Sequence, residues 1–225
     1  MAPSSDSTRA ENPGYTPSER TVGEAFREIM EPLTGRVIVA TFASNIARVQ
    51  QVLDAAASMG RKVAVIGRSM EQNFRIATDL GYLTHGPDQM VAKDKLGGLP
   101  DGKIVIATTG SQGEPMSGLA RMANRDHRFV EIEQGDTVIL SASPIPGNEE
   151  YVARTIDNLF KAGANVIYHA IRHAHVSGHA SAGSTRGSTG APVCAPSVSS
   201  GSASTTGPGR PCIAVWKARA TYSGS

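Results

Sequence analysis

Arg36-Val-Ile-Val-Ala-Thr-Phe42 is the stretch that decides the fold. It is a nearly continuous apolar run, as a strand covered on both faces would be, not the alternating pattern of a half-solvated one. Outward from it the same motif recurs at Lys62-Val-Ala-Val-Ile66, Lys103-Ile-Val-Ile-Ala-Thr108, Asp136-Thr-Val-Ile-Leu-Ser141 and Asn165-Val-Ile-Tyr168. Helical patterns fill the gaps. Val22, Phe26, Met30 and Leu33 make one apolar stripe, preceded by Thr16-Pro17-Ser18-Glu19, which reads as a capping box with proline at the first helical position. Ile46, Val49, Leu53 and Ala56 mark the next helix, stopped by Gly60. Ser69 with Gln72 caps another, ended at Gly81; Pro115 opens a fourth through Met116, Leu119 and Met122; Glu149 to Lys161 is the fifth. Strands separated by helical crossovers predict an α/β fold, a parallel Rossmann-like sheet with helices on both faces.

In such sheets ligands bind beyond the carboxyl ends of the strands. The loops leaving those ends are Thr41–Asn45, Gly67–Ser69, Thr109–Glu114, Ser141–Asn148 and His169–His179, so the unusual loop chemistry is expected on one edge. Thr109-Gly-Ser-Gln-Gly-Glu-Pro115 has glycines that let backbone N–H groups approach a ligand ahead of a helix N-terminus. It has neither a Walker nor a Gly-x-Gly-x-x-Gly spacing, and a plain glycine turn closing a βα unit explains it equally well. Ser143-Pro-Ile-Pro-Gly-Asn148 reads as a rigid turn. His175-Val-Ser-Gly-His179 is the most specific local signal, able to donate to phosphate or shuttle a proton near neutral pH. His169, His173, His175 and His179 also raise a metal reading, but no acidic residue lies near them in sequence. No Gly-x-Ser-x-Gly elbow supports a serine triad.

The bulk numbers select no partner: 22 basic against 20 acidic residues leave a formal charge of +2 over 225 residues. A nucleic-acid binder must then use a local basic patch. Only Cys194 and Cys212 occur, which gives no disulfide framework and no Cys-type zinc site. The first residues lack the apolar core of a signal peptide and no apolar run approaches a membrane span, so a soluble, cytoplasmic chain with no membrane partner is expected.

After Ala182 the periodicity stops. Residues 183–209 are dominated by Ser, Gly, Thr, Ala and Pro, and no Asp or Glu follows Asp157. Such a segment lacks the apolar residues to offset its ordering entropy. It reads either as a flexible tail or as an aberrant end such as a frameshift; the abrupt change, with the composition a GC-rich gene yields in a wrong frame, favours the second. The expected organisation is a remnant of an entering strand and loop at 1–15, an α/β domain at 16–182, and a disordered or aberrant tail at 183–225.

Several of these segments together resemble the ribonuclease J family, β-CASP members of the metallo-β-lactamase superfamily. They are Ser5-Asp-Ser-Thr-Arg-Ala-Glu11, Tyr15-Thr-Pro-Ser-Glu-Arg20, Ala40-Thr-Phe-Ala-Ser-Asn45, Gly67-Arg-Ser-Met70, Thr109-Gly-Ser-Gln-Gly-Glu-Pro-Met116, Pro144-Ile-Pro-Gly-Asn148 and His175-Val-Ser-Gly-His-Ala180. The similarity runs from about Ser5 to Ala182. The resemblance implies a zinc-dependent ribonuclease with 5′-to-3′ exonucleolytic and endonucleolytic activity, its β-CASP domain clamping single-stranded RNA over two zinc ions. Asp6 and His179 match the family's catalytic pair, an aspartate that raises the basicity of a histidine acting as general acid. Ser111, Gln112, Gly113 and Glu114, with His175, Ser177 and Gly178, would line the path of the RNA phosphates; Phe42, Asn45 and Arg68 are looser candidates for stacking or backbone contact.

The departures matter as much. The family's His-x-His-x-Asp-His ligand motif and its later His-Gly-Glu segment do not occur in this sequence. Without those ligands the chain is expected to hold no zinc, to bind RNA weakly at best, and not to cleave it. A non-catalytic RNA- or nucleotide-binding module, or a partner subunit of a homo-oligomer or a full-length nuclease, are the alternatives.

Overall fold

Five short strands make the middle layer of the computed structural model, which describes residues 18–168. They are β1 Val37–Ala40, β2 Lys62–Ile66, β3 Ile104–Thr108, β4 Thr137–Leu140 and β5 Asn165–Ile167. All are parallel, in the order β2-β3-β1-β4-β5. The strands are in step, so Ala40, Thr108 and Leu140 end side by side. Every residue of β1, β3 and β4 is buried, which is why these stretches read as unbroken apolar runs.

The helices are α1 Arg20–Met30, α2 Ile46–Ser58, α3 Arg68–Asp79, α4 Gly118–Ala123 and α5 Glu149–Lys161. Side chains of successive strand residues alternate between faces, and the core divides accordingly. Val37, Val39, Val63, Val105 and Ala107 pack under α1, α2 and α3. Ile38, Ala40, Ile66, Ile106 and Val138 pack under α4 and α5. The α/β sheet with helices on both faces is therefore as the sequence predicts.

Between α3 and β3 lies an edge that periodicity does not announce. Met90 bridges Val63 in parallel, through Val63 N–H to the Gln89 carbonyl at 2.8 Å and Val91 N–H to the Val63 carbonyl at 2.9 Å. From β1 the chain steps outward through α2 and α3 on one face. It returns through a 3-10 turn at Lys93–Gly98, whose Leu96 joins the opposite core, and continues through α4 and α5 on that face. Outward and returning connections on opposite faces are what right-handed crossovers demand.

Three helix starts differ from the sequence expectation. α1 begins at Arg20, not Pro17, and the Ser18 carbonyl takes the Thr21 N–H at 3.0 Å and its hydroxyl at 2.8 Å. The Glu19 carboxylate accepts Arg48 Nε at 2.8 Å and Nη2 at 2.6 Å, a pair of charged donors on one acceptor, while Thr16 and Pro17 of the expected capping box lie outside the described residues. α3 begins at Arg68 behind Gly67, whose φ of 116° favours glycine, so Ser69 lies inside the first turn rather than capping it. α4 begins at Gly118, with the Ser117 hydroxyl accepting the Ala120 N–H at 3.3 Å, and Met116 stands exposed ahead of it. Glycine is required at position 118 because a Cβ there would collide with the Thr108 hydroxyl, so α4 starts pressed against the end of β3.

The amino edge of the sheet is locked. Arg36 donates to Asp136 through Nε at 2.8 Å and Nη2 at 2.7 Å, tying the entries of β1 and β4 together. Asp136 also accepts the Glu133 N–H at 2.8 Å, and the carboxylate raises the Arg36 pKa. Arg61, ahead of β2, donates to the carbonyls of Leu33 and Gly35.

Candidate functional site

At the carboxyl edge the loops behave differently from one another. After β1, the Asn45 carboxamide accepts the Arg48 N–H at 3.1 Å and so caps α2. Phe42 is half-buried, and its carbonyl takes the Asn45 N–H at 3.1 Å. Beneath this loop the fully buried Arg48 reaches from Glu19 to the carbonyl and hydroxyl of Ser141 at the end of β4. Burial lowers its pKa, and Glu19 opposes the shift.

The glycine loop after β3 is packed rather than open. Ser111 and Gln112 are buried. The Gln112 amide donates to the Ser143 carbonyl at 2.9 Å and its oxygen accepts the Ile145 N–H at 2.8 Å, which staples the β3 loop to the β4 loop. Gly113 has φ of 71°, and a Cβ there would meet the backbone of Tyr151 and Val152 at the start of α5. The glycines at this point serve a close approach of backbone to backbone. Glu114, the next residue, is exposed.

Among the described residues a cleft lies between β2 and β3, neighbours whose chains leave toward opposite faces, through α3 and α4 respectively. Such divergence opens a crevice at the carboxyl ends of a parallel sheet. The cleft has a volume of about 1210 Å³. Arg68 and Arg75 reach it from α3, Arg121 from α4, Lys93 from the 3-10 turn, and His127, Arg128 and Phe129 from the segment that follows α4. Five Arg and Lys line it against two carboxylates, Glu71 and Glu114. The chain as a whole is almost balanced, so charge is concentrated here.

Some of these charges are compensated. Lys93 Nζ lies 2.9 Å from Glu71, and Arg121 Nε lies 3.6 Å from Asp126. Arg68, Arg75 and Arg128 have no carboxylate partner among the described residues. The Phe129 ring, 37% exposed, has Lys93 Nζ 5.3 Å and the Arg128 guanidinium 5.2 Å from its centroid. His127 Nδ1 accepts the N–H groups of Phe129 at 3.3 Å and Val130 at 3.2 Å, which leaves the proton of the neutral ring on Nε2. Burial, then the nearby Arg121 and Lys93 charges, lowers its pKa below the ordinary histidine value.

Of the residues singled out from sequence, Arg68 and Glu114 line this cleft. Ser111, Gln112 and Gly113 lie buried beside it, and Phe42 and Asn45 sit on the β1 loop outside its lining. Asp6, His175, Ser177, Gly178 and His179 lie outside the described residues. Sequence reasoning missed Arg75, Lys93, Arg121, His127, Arg128 and Phe129. The run Arg125-Asp-His-Arg-Phe129, basic residues ending in an aromatic, is the signal that could have found half of them. Among the described residues, no three His, Cys, Asp or Glu are placed to hold a metal ion, so this part of the chain does not fit zinc. Nor is any described helix long and apolar enough to cross a membrane.

Residues 34–159 match the family described as ribonuclease J, beta-CASP domain. Ribonuclease J of Mycolicibacterium smegmatis is 48% identical over 170 residues, 76% of this chain and 30% of the relative. Ribonuclease J of Thermus thermophilus is 50% identical over 175 residues, 75% of this chain and 30% of the relative. Ribonuclease J2 of Bacillus subtilis is 45% identical over 164 residues, covering 73% and 30%. The chain thus spans about 30% of the length of the curated relatives it matches.

Proposed function

The chain belongs to the ribonuclease J family through its β-CASP domain, and from that premise we propose that it supplies RNA binding without phosphodiester hydrolysis. The family is one of RNA-processing nucleases. The observation that supports the binding half is the cluster of arginines in one cleft at the carboxyl edge, three of them without a carboxylate partner among the described residues, in a chain of nearly zero net charge. Phosphates of single-stranded RNA are the anions that this family membership supplies.

The hydrolytic half of the enzyme would need two zinc ions to supply an activated water, and the family's ligand motifs for them do not occur in this sequence. Asp6 and His179 are proposed as the general-acid pair, and His175, Ser177 and Gly178 as phosphate donors alongside the Ser111–Glu114 loop. The described residues contribute placement: Gln112 fixes the β3 loop against the β4 loop, and Arg48 fixes the end of β4 against α1. A cytoplasmic location, a domain spanning 16–182 and assembly with a second copy or a full-length nuclease belong to the same proposal.

The test uses the purified 225-residue chain. Fluorescence anisotropy with a 5′-monophosphorylated single-stranded RNA should show salt-sensitive binding, while the same RNA incubated with chain and zinc stays intact. Zinc-dependent cleavage with metal near two per chain would overturn the non-catalytic half; an absence of RNA binding at low salt would overturn the other.

A further inference from the structure

We propose that the cleft between α3 and residues 114–129 is a phosphate-binding groove in its own right, in which Arg68, Arg75, Arg121 and Arg128 hold nucleotide phosphates and Phe129 offers its ring to a base. The inference deepens the RNA-binding reading and rests on it for the identity of the ligand, but its phosphate chemistry stands on the cleft alone.

The first support is electrostatic. Like charges held in one concavity repel, and folded proteins ordinarily relieve such repulsion with carboxylates. Here Glu71 pairs with Lys93 and Asp126 with Arg121. Among the described residues Arg68, Arg75 and Arg128 have no carboxylate partner, and the first two come from α3 while the third comes from the segment across the cleft. Three guanidiniums on opposite walls, each a planar fork of donors, suit oxygens of a bridging anion better than a point contact.

The second support is the aromatic. Phe129 is among the exposed large apolar side chains, and it stands at the cleft lining between two cations. A flat ring beside positive charge is the pairing that single-stranded nucleic acids and nucleotides use, stacking for the base and charge for the phosphate. A groove of about 1210 Å³ has room for more than a single phosphate.

Binding by the full chain distinguishes the two phosphate sources. The probes are a labelled single-stranded RNA, a nucleoside triphosphate and inorganic pyrophosphate, each titrated at low and moderate salt. The variants are Arg75→Ala with Arg128→Ala, Phe129→Ala, and Arg27→Ala on exposed α1 as a control for general charge; circular dichroism melting confirms that each is folded. The double variant should weaken phosphate ligands by about tenfold and lower the salt slope by about one to two, whereas Arg27→Ala leaves both nearly unchanged. Phe129→Ala should weaken RNA and triphosphate but not pyrophosphate. RNA preferred over triphosphate assigns the groove to a strand, and the reverse assigns it to a free nucleotide; both support the site. RNA binding that the folded double variant keeps in full would overturn the groove and leave the RNA reading intact. Pyrophosphate binding lost in the double variant, with no RNA binding by the wild type, would instead keep the groove and overturn the RNA reading. No binding of any probe would overturn both.

Discussion

The two edges of the sheet differ in how their arginines are partnered. At the amino edge Arg36 is held bidentately by Asp136, and Arg61 is spent on main-chain carbonyls. At the carboxyl edge Arg68, Arg75 and Arg128 line a cleft and form no ion pair among the described residues. Within the carboxyl edge a second contrast appears. The glycine loop, which in sequence offers backbone N–H groups to a ligand, is closed by Gln112 and by contact with α5, while the unremarked segment at 127–129 walls the open cleft. Satisfied donors hold a fold together; unsatisfied ones at a concave surface are available to a ligand.

The contrast is broken most severely where backbone meets backbone. Gly113→Val forces a side chain into the Tyr151–Val152 main chain from a positive φ, and should cost about 3 kcal/mol or more, read as a loss of the cooperative urea transition at its wild-type midpoint. Asp136→Ala strips Arg36 of its bidentate partner and orphans the Glu133 N–H. Because the aspartate is 3% exposed, a loss of about 3 kcal/mol by denaturant melting is expected. Gln112→Ala unties the two loops and removes the partners of the Ser143 carbonyl and the Ile145 N–H, for about 1 kcal/mol in the same measurement.

On the open side the sign of the comparison should invert. Arg75→Ala on exposed α3 should leave stability within about 0.5 kcal/mol of wild type yet weaken RNA binding about threefold. A stability loss as large as that of Asp136→Ala would mean that Arg75 is structural and that the two edges are alike.

The smallest effect belongs to His127, and its direction follows from linkage. Burial, Arg121 and Lys93 lower the folded-state pKa below the ordinary 6.5, while Glu71 and Asp126 act the other way. Above 6.5 the ring is neutral in both states, and its contribution to stability is complete. As pH falls below that value the unfolded chain takes the proton first, so stability declines through the folded-state pKa. Protonation would also set a second N–H against the amides of Phe129 and Val130. A melting temperature lower by about a few degrees at pH 5.5 than at pH 7.5 is expected, and His127→Asn should flatten that difference.

The sequence by itself determined the layered architecture. Apolar runs such as Val37–Ala40 and Ile104–Thr108 admit few readings other than strands buried on both sides, because leaving them half-exposed would forfeit the burial that stabilises them. The stripes on α1, α2 and α5 are equally legible, since period 3.6 is a property of the chain alone. It also named the edge that carries the cleft and two residues of its lining, Arg68 and Glu114. Tertiary structure decided the rest. Whether Glu19 caps α1 or pairs with Arg48 depends on a partner 29 positions away. Whether Gln112 meets a ligand or staples two loops depends on where the β4 loop passes. The cleft itself gathers Arg75, Lys93 and Arg128 from three separate segments, brought together because the chain leaves β2 and β3 toward opposite faces. Periodicity reports which face of an element is buried; it carries no record of which distant charges a crossover will set side by side.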